Sequence, residues 1–209
     1  MNGKQKGFTL QPLPQPVTRR GEATKRKLLE AAELEFGEKG FHAASVTSIT
    51  GRAGVGQGTF YNYFPSKEDA LRELVRHMGR ELRTWLNNAT EGAGDRLDVE
   101  RRGLEAFIDF SRHHQNLYRI VMESQFVDEA IYREYYEQLA SGYTRALEQA
   151  QEAGEVRPGD AAAQGWALMG IAHFAGLRYG IWDKAEPADQ VLTTLHGLIA
   201  RGLKPEPGE

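Results

Sequence analysis

A glycine turn between two short helical patterns, at Gly54–Gly56, is the feature that most constrains the fold of this chain. Ser45 can cap the first helix by accepting a backbone N–H bond, and glycine tolerates the left-handed conformation that closes it. A second helix then begins near Gln57, and Pro65 disfavours helical geometry at Phe64, which limits that helix to about two turns. Because helices this short are unstable alone, both must pack against a neighbour.

The outward face of the second helix is small, polar and uncharged. Helical spacing turns Phe60 inward, whereas Gly58 and Asn62 point outward with Thr59 and Tyr61 beside them. This face lacks the nucleophile, base or metal ligands that an enzyme site requires. Hydroxyls and amides on a brief helix after a glycine turn are typical of a helix-turn-helix, in which they bond to base edges and phosphates.

Residues 22–74 resemble the DNA-binding domain of the TetR family of transcriptional repressors. The matching segments are Phe36–Phe41, Ser45–Ile49, Arg52–Val55, Gly58–Phe64 and Ser66–Glu68. The resemblance implies a DNA-binding regulator, not an enzyme, and a recognition helix that faces DNA. The candidate DNA-binding residues in this region are Ser45, Thr47, Gln57, Gly58, Thr59, Tyr61, Asn62 and Lys67, of which Lys67 is expected to contact a phosphate.

Charge is distributed unevenly along the chain. Residues 1–67 contain 10 Lys and Arg against 5 Asp and Glu, whereas residues 68–209 contain 16 against 24, for −3 overall. Because phosphate neutralisation drives nucleic-acid association, the basic part is expected to meet DNA. The proline-rich residues 1–20 are predicted to be a disordered basic arm, either a solvated tail, which we favour, or a groove-binding segment. Arg20 and Lys25 are candidate phosphate contacts, or part of a solvated face.

The remaining pattern indicates an all-α protein without strands or internal repeats. We expect an N-terminal three-helix helix-turn-helix domain at 21–66, joined by a linking helix to a dimerising, ligand-binding bundle within 67–203, and a flexible tail at 204–209. The predicted helices outside the turn region are 22–39, 67–88, 98–113, 117–123, 128–153, 161–182 and 187–203.

Composition excludes several classes of protein. The absence of cysteine excludes disulfides and cysteine-based zinc sites, and no apolar run approaches the roughly 20 residues that span a bilayer. Adjacent His113 and His114 point in different directions on a helix, so no metal or other cofactor is predicted. We therefore expect a cytoplasmic protein that binds no membrane.

Aromatic residues recur through the C-terminal bundle. Any one of them has core packing as its commonest role, but the resemblance implies a bundle that encloses a small apolar or amphipathic effector. Arg119 and His114 are candidate anchors for an acidic head group, as in an acyl-CoA or aromatic acid, although surface roles are commoner. The candidate ligand-binding residues are Phe107, Phe110, His114, Tyr118, Arg119, Phe126, Tyr136, Trp166 and Phe174.

The last two helices are predicted to form a homodimer interface, as the resemblance implies, with a monomeric core as the alternative. The candidate interface residues are Trp166, His173, Leu177, Leu192, Leu195 and Ile199. The leading hypothesis is thus a ligand-responsive repressor that binds a near-palindromic operator of double-stranded DNA. Two other hypotheses remain open, namely a dimeric DNA-binding protein without an effector and, with least support, a helical enzyme.

Overall fold

The computed structural model describes residues 18–183, 185, 187 and 189–205. Within these residues the chain forms helices and no β-strand, which confirms the predicted all-α class. No helix in the described ranges is both long and apolar enough to cross a membrane. The predicted disordered arm, up to residue 17, and the predicted tail beyond residue 205 lie outside the described residues.

The helices follow one another with short connections. Their bounds are α1 Arg19–Lys39, α2 Val46–Ala53, α3 Gln57–Tyr61, α4 Lys67–Thr90, α5 Arg96–His113, α6 Gln115–Val127, α7 Glu129–Glu152, α8 Ala161–Ala175, a π segment Gly176–Trp182, and α9 Asp189–Leu203. The chain divides into two compact units, and the division falls between Arg72 and Glu73 inside α4. Each unit is described separately below.

The first helix begins earlier than the sequence predicts. Thr18 caps α1, because its hydroxyl accepts a hydrogen bond from the backbone N–H of Gly21 at 3.1 Å. Arg20 therefore lies in the first turn of α1 and not in an extended arm. The helix ends at Gly40, whose φ of 82° suits glycine.

The turn between α2 and α3 has the predicted glycine geometry. Gly54 adopts the left-handed conformation, with φ 68° and ψ 35°, and the next N–H, of Val55, bonds to the carbonyl of Thr50 at 3.0 Å. The recognition helix α3 is shorter than predicted, because it ends at Tyr61. Pro65 lies just beyond and excludes a further regular turn.

Four phenylalanines form the centre of the first unit. Phe60 and Phe64 are fully buried, and their ring centres lie 5.4 Å apart. Phe36 of α1 packs on Phe41 with a ring separation of 5.3 Å. Because each short helix buries its apolar face against α1, tertiary packing supplies the stability that helix length does not.

A buried carboxylate also joins α1 to α2. Glu35 accepts hydrogen bonds from Lys39 at 2.6 Å and from Arg52 at 2.8 Å, while Arg52 also bonds Glu38 at 2.7 Å. Hydrogen bonds from Lys39 and Ser48, opposed by burial, lower the pKa of Glu35 from 4.5 to about 2. The charge pattern of the sequence gave no indication of this cross-helix network.

The second unit has its core between α5 and the helices that follow α6. Its buried cluster is Leu104, Ile108, Leu147, Ala150, Val156, Ala161, Leu168, Ala175, Ile199 and Leu203. The sequence predicts one regular helix over 161–182, but the structure changes from α to π geometry at Gly176.

This π segment packs closely on α5. A Cβ at Gly176 would lie 2.6 Å from the Phe107 ring, and one at Gly180 would lie 2.8 Å from the carbonyl oxygen of Ile108. Glycine at both positions is what permits the approach.

Candidate nucleic-acid interface and effector cavity

The exposed surface of α3 is the candidate nucleic-acid interface. Tyr61 is 54% exposed and Asn62 is exposed beside it, while Phe60 between them and the core is buried. A Cβ at Gly56 or Gly58 would meet no atom within 4 Å. The front of the recognition helix is therefore bare backbone that another molecule could approach closely.

The start of α2 presents hydroxyls next to this surface. The Ser45 and Ser48 side chains and backbone N–H groups bond reciprocally at 3.0 and 3.1 Å, which forms a capping box. The Gln57 amide donates to the Thr47 hydroxyl at 2.7 Å, so the first turns of α2 and α3 are tied together. Ser45, Thr47, Gln57 and the neighbouring Gly58 are all exposed, whereas Thr59 is half-buried.

Two lysines predicted to contact phosphate have internal partners instead. The Lys67 ammonium donates to the carbonyl oxygens of Phe41 and Ala44, both at 2.7 Å, and lies 4.2 Å from the Phe41 ring centre. Lys25 is buried, with its ammonium 6.0 Å from the Phe64 ring centre, so the prediction of a surface phosphate contact is wrong for this residue. Arg20 is exposed.

The second unit encloses a cavity of about 370 Å³ between α4, α5, α6, α7 and α8, closed by Ile199 of α9. Its wall is mostly apolar, and of the predicted ligand residues Phe107, Tyr118 and Tyr136 line it. An adjoining pocket contains the predicted residues Trp166 and Phe174 and shares Met122, Tyr136, Met169 and His173 with the cavity. This combination of an apolar wall and a few polar groups is typical of a small-molecule site.

Four predicted ligand residues do not line either space. Phe110 is buried in the core and stacks on His114 at 4.2 Å, because both face Trp85 of α4. Arg119 is exposed, since it follows the inward-facing Tyr118 by one helical position. Phe126, near the end of α6, is 81% exposed.

Tyr118, Tyr136 and His173 form the polar cluster of the cavity. The His173 Nδ1 lies 3.3 Å from the Tyr118 hydroxyl and 3.5 Å from that of Tyr136. Burial raises the pKa of Tyr118 to about 12, raises that of Tyr136 further, and lowers that of His173. All three side chains are therefore neutral at pH 7.

The sequence analysis did not find a second polar group in the cavity wall. Glu100 is buried, pairs with Arg96 at 2.5 Å and accepts a hydrogen bond from the Tyr143 hydroxyl at 2.7 Å. Burial and the Glu100 carboxylate raise the pKa of Tyr143. The spacing of Arg96 and Glu100, four residues apart on α5, was the one available signal.

An apolar surface remains exposed on the last helices. Phe174 and Trp182 are 68% and 66% exposed, and Trp166 and Leu198 are about half exposed. Other predicted interface residues differ: Leu177, Leu192 and Leu195 are half-buried. His173 and Ile199 line the cavity, and Ile199 is buried within its own unit, so assigning Ile199 to an exposed interface was wrong.

Among the residues that the structure describes, no group of three or more His, Asp or Glu side chains could hold a metal ion. The fold and the polar face of α3 thus define a helix-turn-helix DNA-binding protein. The description "Bacterial regulatory proteins, tetR family" matches residues 28–74.

Named relatives extend this match. The transcriptional activator FasR of Mycolicibacterium smegmatis is 36% identical over 49% of this chain, which spans about half (47%) of FasR. The transcriptional regulator BetI of Yersinia pestis is 29% identical, with 90% of this chain and 94% of BetI covered. The chain belongs to the TetR family of bacterial transcription regulators.

Solved structures show the same fold. The fatty acid degradation regulator FadR of Bacillus halodurans has a TM-score of 0.73 at 19% identity, covering 86% of this chain and 95% of FadR. GusR of Salmonella enterica has a TM-score of 0.75 at 19% identity, covering 90% of this chain and 99% of GusR. The protein is accordingly a DNA-binding regulator of transcription and not an enzyme.

Proposed function

We propose that the protein is a ligand-responsive repressor that binds a near-palindromic operator as a homodimer and is released by a largely apolar small molecule. The observation that carries the proposal is the cavity of about 370 Å³ in the second unit of a DNA-binding regulator. A protein that used its bundle only to dimerise would have no need of an enclosed space with convergent polar groups. Core packing normally leaves few voids larger than a water molecule.

The exposed apolar surface supports dimerisation. Trp166, Phe174, Trp182 and Leu198 expose large apolar side chains on α8, the π segment and α9. A two-fold axis would place two recognition helices in successive major grooves roughly 34 Å apart, as a palindromic operator requires.

DNA contact is proposed for the exposed residues of α2 and α3. Tyr61 and Thr47 present hydroxyls suited to phosphates, and Asn62 presents an amide suited to a base edge. The bare backbone at Gly58 lets the helix approach the groove closely.

Helix α4 offers a covalent route from ligand to DNA. It contributes Met78, Leu82 and Leu86 to the cavity wall, and it begins at Lys67, six residues after the recognition helix ends. A ligand that binds one position of α4 better than another shifts the equilibrium between them. Because coupling is reciprocal, a ligand that lowers DNA affinity tenfold must itself bind tenfold more weakly to the DNA complex.

Dimerisation is tested with two surface substitutions, Trp182→Glu and Leu198→Glu. Both should give a monomer by light scattering and lower operator affinity, with helical content unchanged by circular dichroism. Leu34→Glu is the matched control, because Leu34 is a 39% exposed apolar residue of α1. A dimer that persists in both variants would show that this surface is not the interface.

Induction is tested by screening small apolar molecules for thermal stabilisation and then for release of operator DNA. The operator itself is first selected from random DNA by the purified protein. Release at ligand concentrations that stabilise the protein supports the proposal. If every stabilising ligand leaves DNA affinity unchanged, the better account is a dimeric DNA-binding protein without an effector.

A further inference from the structure

We infer that the effector carries a neutral hydrogen-bond-accepting oxygen, such as that of a ketone, ester or amide, bound by Tyr118, Tyr136 and His173. The inference rests on the proposed effector cavity and adds the chemical class of its ligand. It differs from the acidic head group expected from the sequence, whose anchors Arg119 and His114 do not line the cavity.

The three side chains come from different helices and converge on one point of the wall. Tyr118 lies on α6, Tyr136 on α7 and His173 on α8, and each lines the cavity. The two hydroxyls lie 3.3 and 3.5 Å from the same imidazole nitrogen, His173 Nδ1. A group at this point would therefore contact α6, α7 and α8 together.

The cluster contains more hydrogen-bond donors than acceptors. A neutral imidazole nitrogen has one lone pair, so His173 Nδ1 accepts from one phenol only. Tyr118 has an alternative acceptor in the His173 backbone carbonyl at 3.4 Å, whereas the alternative for Tyr136 is the Met122 sulfur at 4.0 Å, a weak acceptor. The Tyr136 hydroxyl is thus the donor best placed for a ligand oxygen.

Neither the tautomer of His173 nor the neighbouring Tyr132 removes this excess. If Nδ1 carried the proton, it would accept from neither phenol, and the excess of donors would grow. Tyr132 lies with its ring centre 4.9 Å from that of Tyr136, and a bond between their hydroxyls only transfers the spare donor to Tyr132. Since buried polar groups are normally hydrogen-bonded, an acceptor from outside the protein completes the cluster.

The charges around the cluster favour a neutral acceptor over a carboxylate. Among the described residues of the cavity wall, the cations are Arg83 and Arg96. Arg96 is paired with Glu100 at 2.5 Å, and Arg83 donates to Gln138 at 3.4 Å. A carboxylate beside neutral phenols and a neutral imidazole would lack a counter-ion, and an unpaired buried charge is strongly unfavourable.

The adjoining pocket leads to the same conclusion. Its cation, Arg133, is mostly exposed and lies 3.8 Å from Glu137 and 4.0 Å from Glu129. Met122 and Met169 line both spaces and provide an adaptable apolar surface for the rest of the ligand.

The test uses three probes of equal chain length, 2-decanone, decanoate and decylammonium, with the full-length protein at pH 7. Calorimetry gives the affinities, and quenching of tryptophan fluorescence gives the location, because Trp166 has its ring centre 6.5 Å from that of Tyr136. We expect 2-decanone to bind most tightly. Tyr136→Phe should weaken its binding by about three- to tenfold, the range for one neutral hydrogen bond, while changing decylammonium affinity little.

Tyr61→Phe is the matched control, because it removes a hydroxyl from α3 in the other unit and should leave 2-decanone affinity unchanged. The inference fails if decanoate binds as tightly as 2-decanone, if Tyr136→Phe weakens all three probes equally, or if none binds. The proposed function is judged separately by the operator-release screen. An acidic ligand that released DNA would overturn the present inference and leave the ligand-responsive repressor intact.

Discussion

Replacing Gly58 with alanine should make the free protein more stable and its DNA complex weaker. The added Cβ would meet no atom within 4 Å, and Gly58 does not need a positive φ. Alanine is favoured over glycine within a helix by about 0.5–1 kcal/mol, so the folded state gains that amount. For a chain of this size the gain raises Tm by roughly 1–4 °C.

The effect on DNA binding has the opposite sign. The methyl group would project from the exposed front of α3, where we propose that backbone approaches the groove. Losing one base contact costs about 1–3 kcal/mol, which weakens operator binding by roughly 5- to 150-fold. Fluorescence anisotropy with a labelled operator at fixed salt measures this change, since salt alone alters protein–DNA affinity strongly.

Gly142→Ala provides the control, because Gly142 lies within α7, is exposed and has equally open surroundings. It should give a similar gain in stability with no change in DNA affinity. A Gly58→Ala protein that is more stable and binds operator as tightly as wild type would refute the proposed position of α3 on DNA.

Three further predictions concern the first unit. Lys67→Met removes both hydrogen bonds of the ammonium and should lower the free energy of unfolding by about 2–4 kcal/mol in urea titrations, whereas unchanged stability would mean that these bonds contribute nothing. Because the pKa of Glu35 is lowered, its stabilisation is complete above 4.5 and is lost as the pH falls towards about 2. Glu35→Gln should therefore flatten the acid limb of stability against pH, and an unaltered limb would contradict that role. Asn62→Ala should reduce discrimination between operator and random DNA by about 1–3 kcal/mol, whereas Tyr61→Phe should weaken both alike; equal losses for the two variants would count against these roles.

The helix-turn-helix was predictable because its signals are local. A glycine with a positive φ, a serine cap and a proline each restrict the backbone within a few residues, and Gly54 and Ser45 have the expected geometry. The length of α3 was overestimated, because the disfavoured conformation before Pro65 extends its effect over more than one residue.

The long basic side chains could not be assigned from the sequence. Lysine can lay its apolar stem along a protein and place its charge either in solvent or on internal acceptors. At Lys67 two free carbonyl groups from the preceding loop fix the choice, and at Lys25 burial near Phe64 does so. Both depend on contacts between segments that are distant in sequence.

The cavity was only partly predictable for a similar reason. Apolar residues occur on several sides of α5 and α6, so periodicity does not tell whether Phe107 or Phe110 faces the cavity. The pair formed by Glu100 and Tyr143 joins α5 to α7, and no local pattern shows it. The change from α to π geometry at Gly176 likewise has no sequence signal that we know of.

The two glycines of the π segment provide a marker for comparing related proteins. Gly176 sits against Phe107, a residue of the cavity wall, and Gly180 sits against the backbone of α5. A relative with a larger residue at either position must hold these helices farther apart and so must have a cavity of different shape. Glycine at both positions should therefore identify the subset of relatives whose cavities resemble this one, even where the lining residues have diverged.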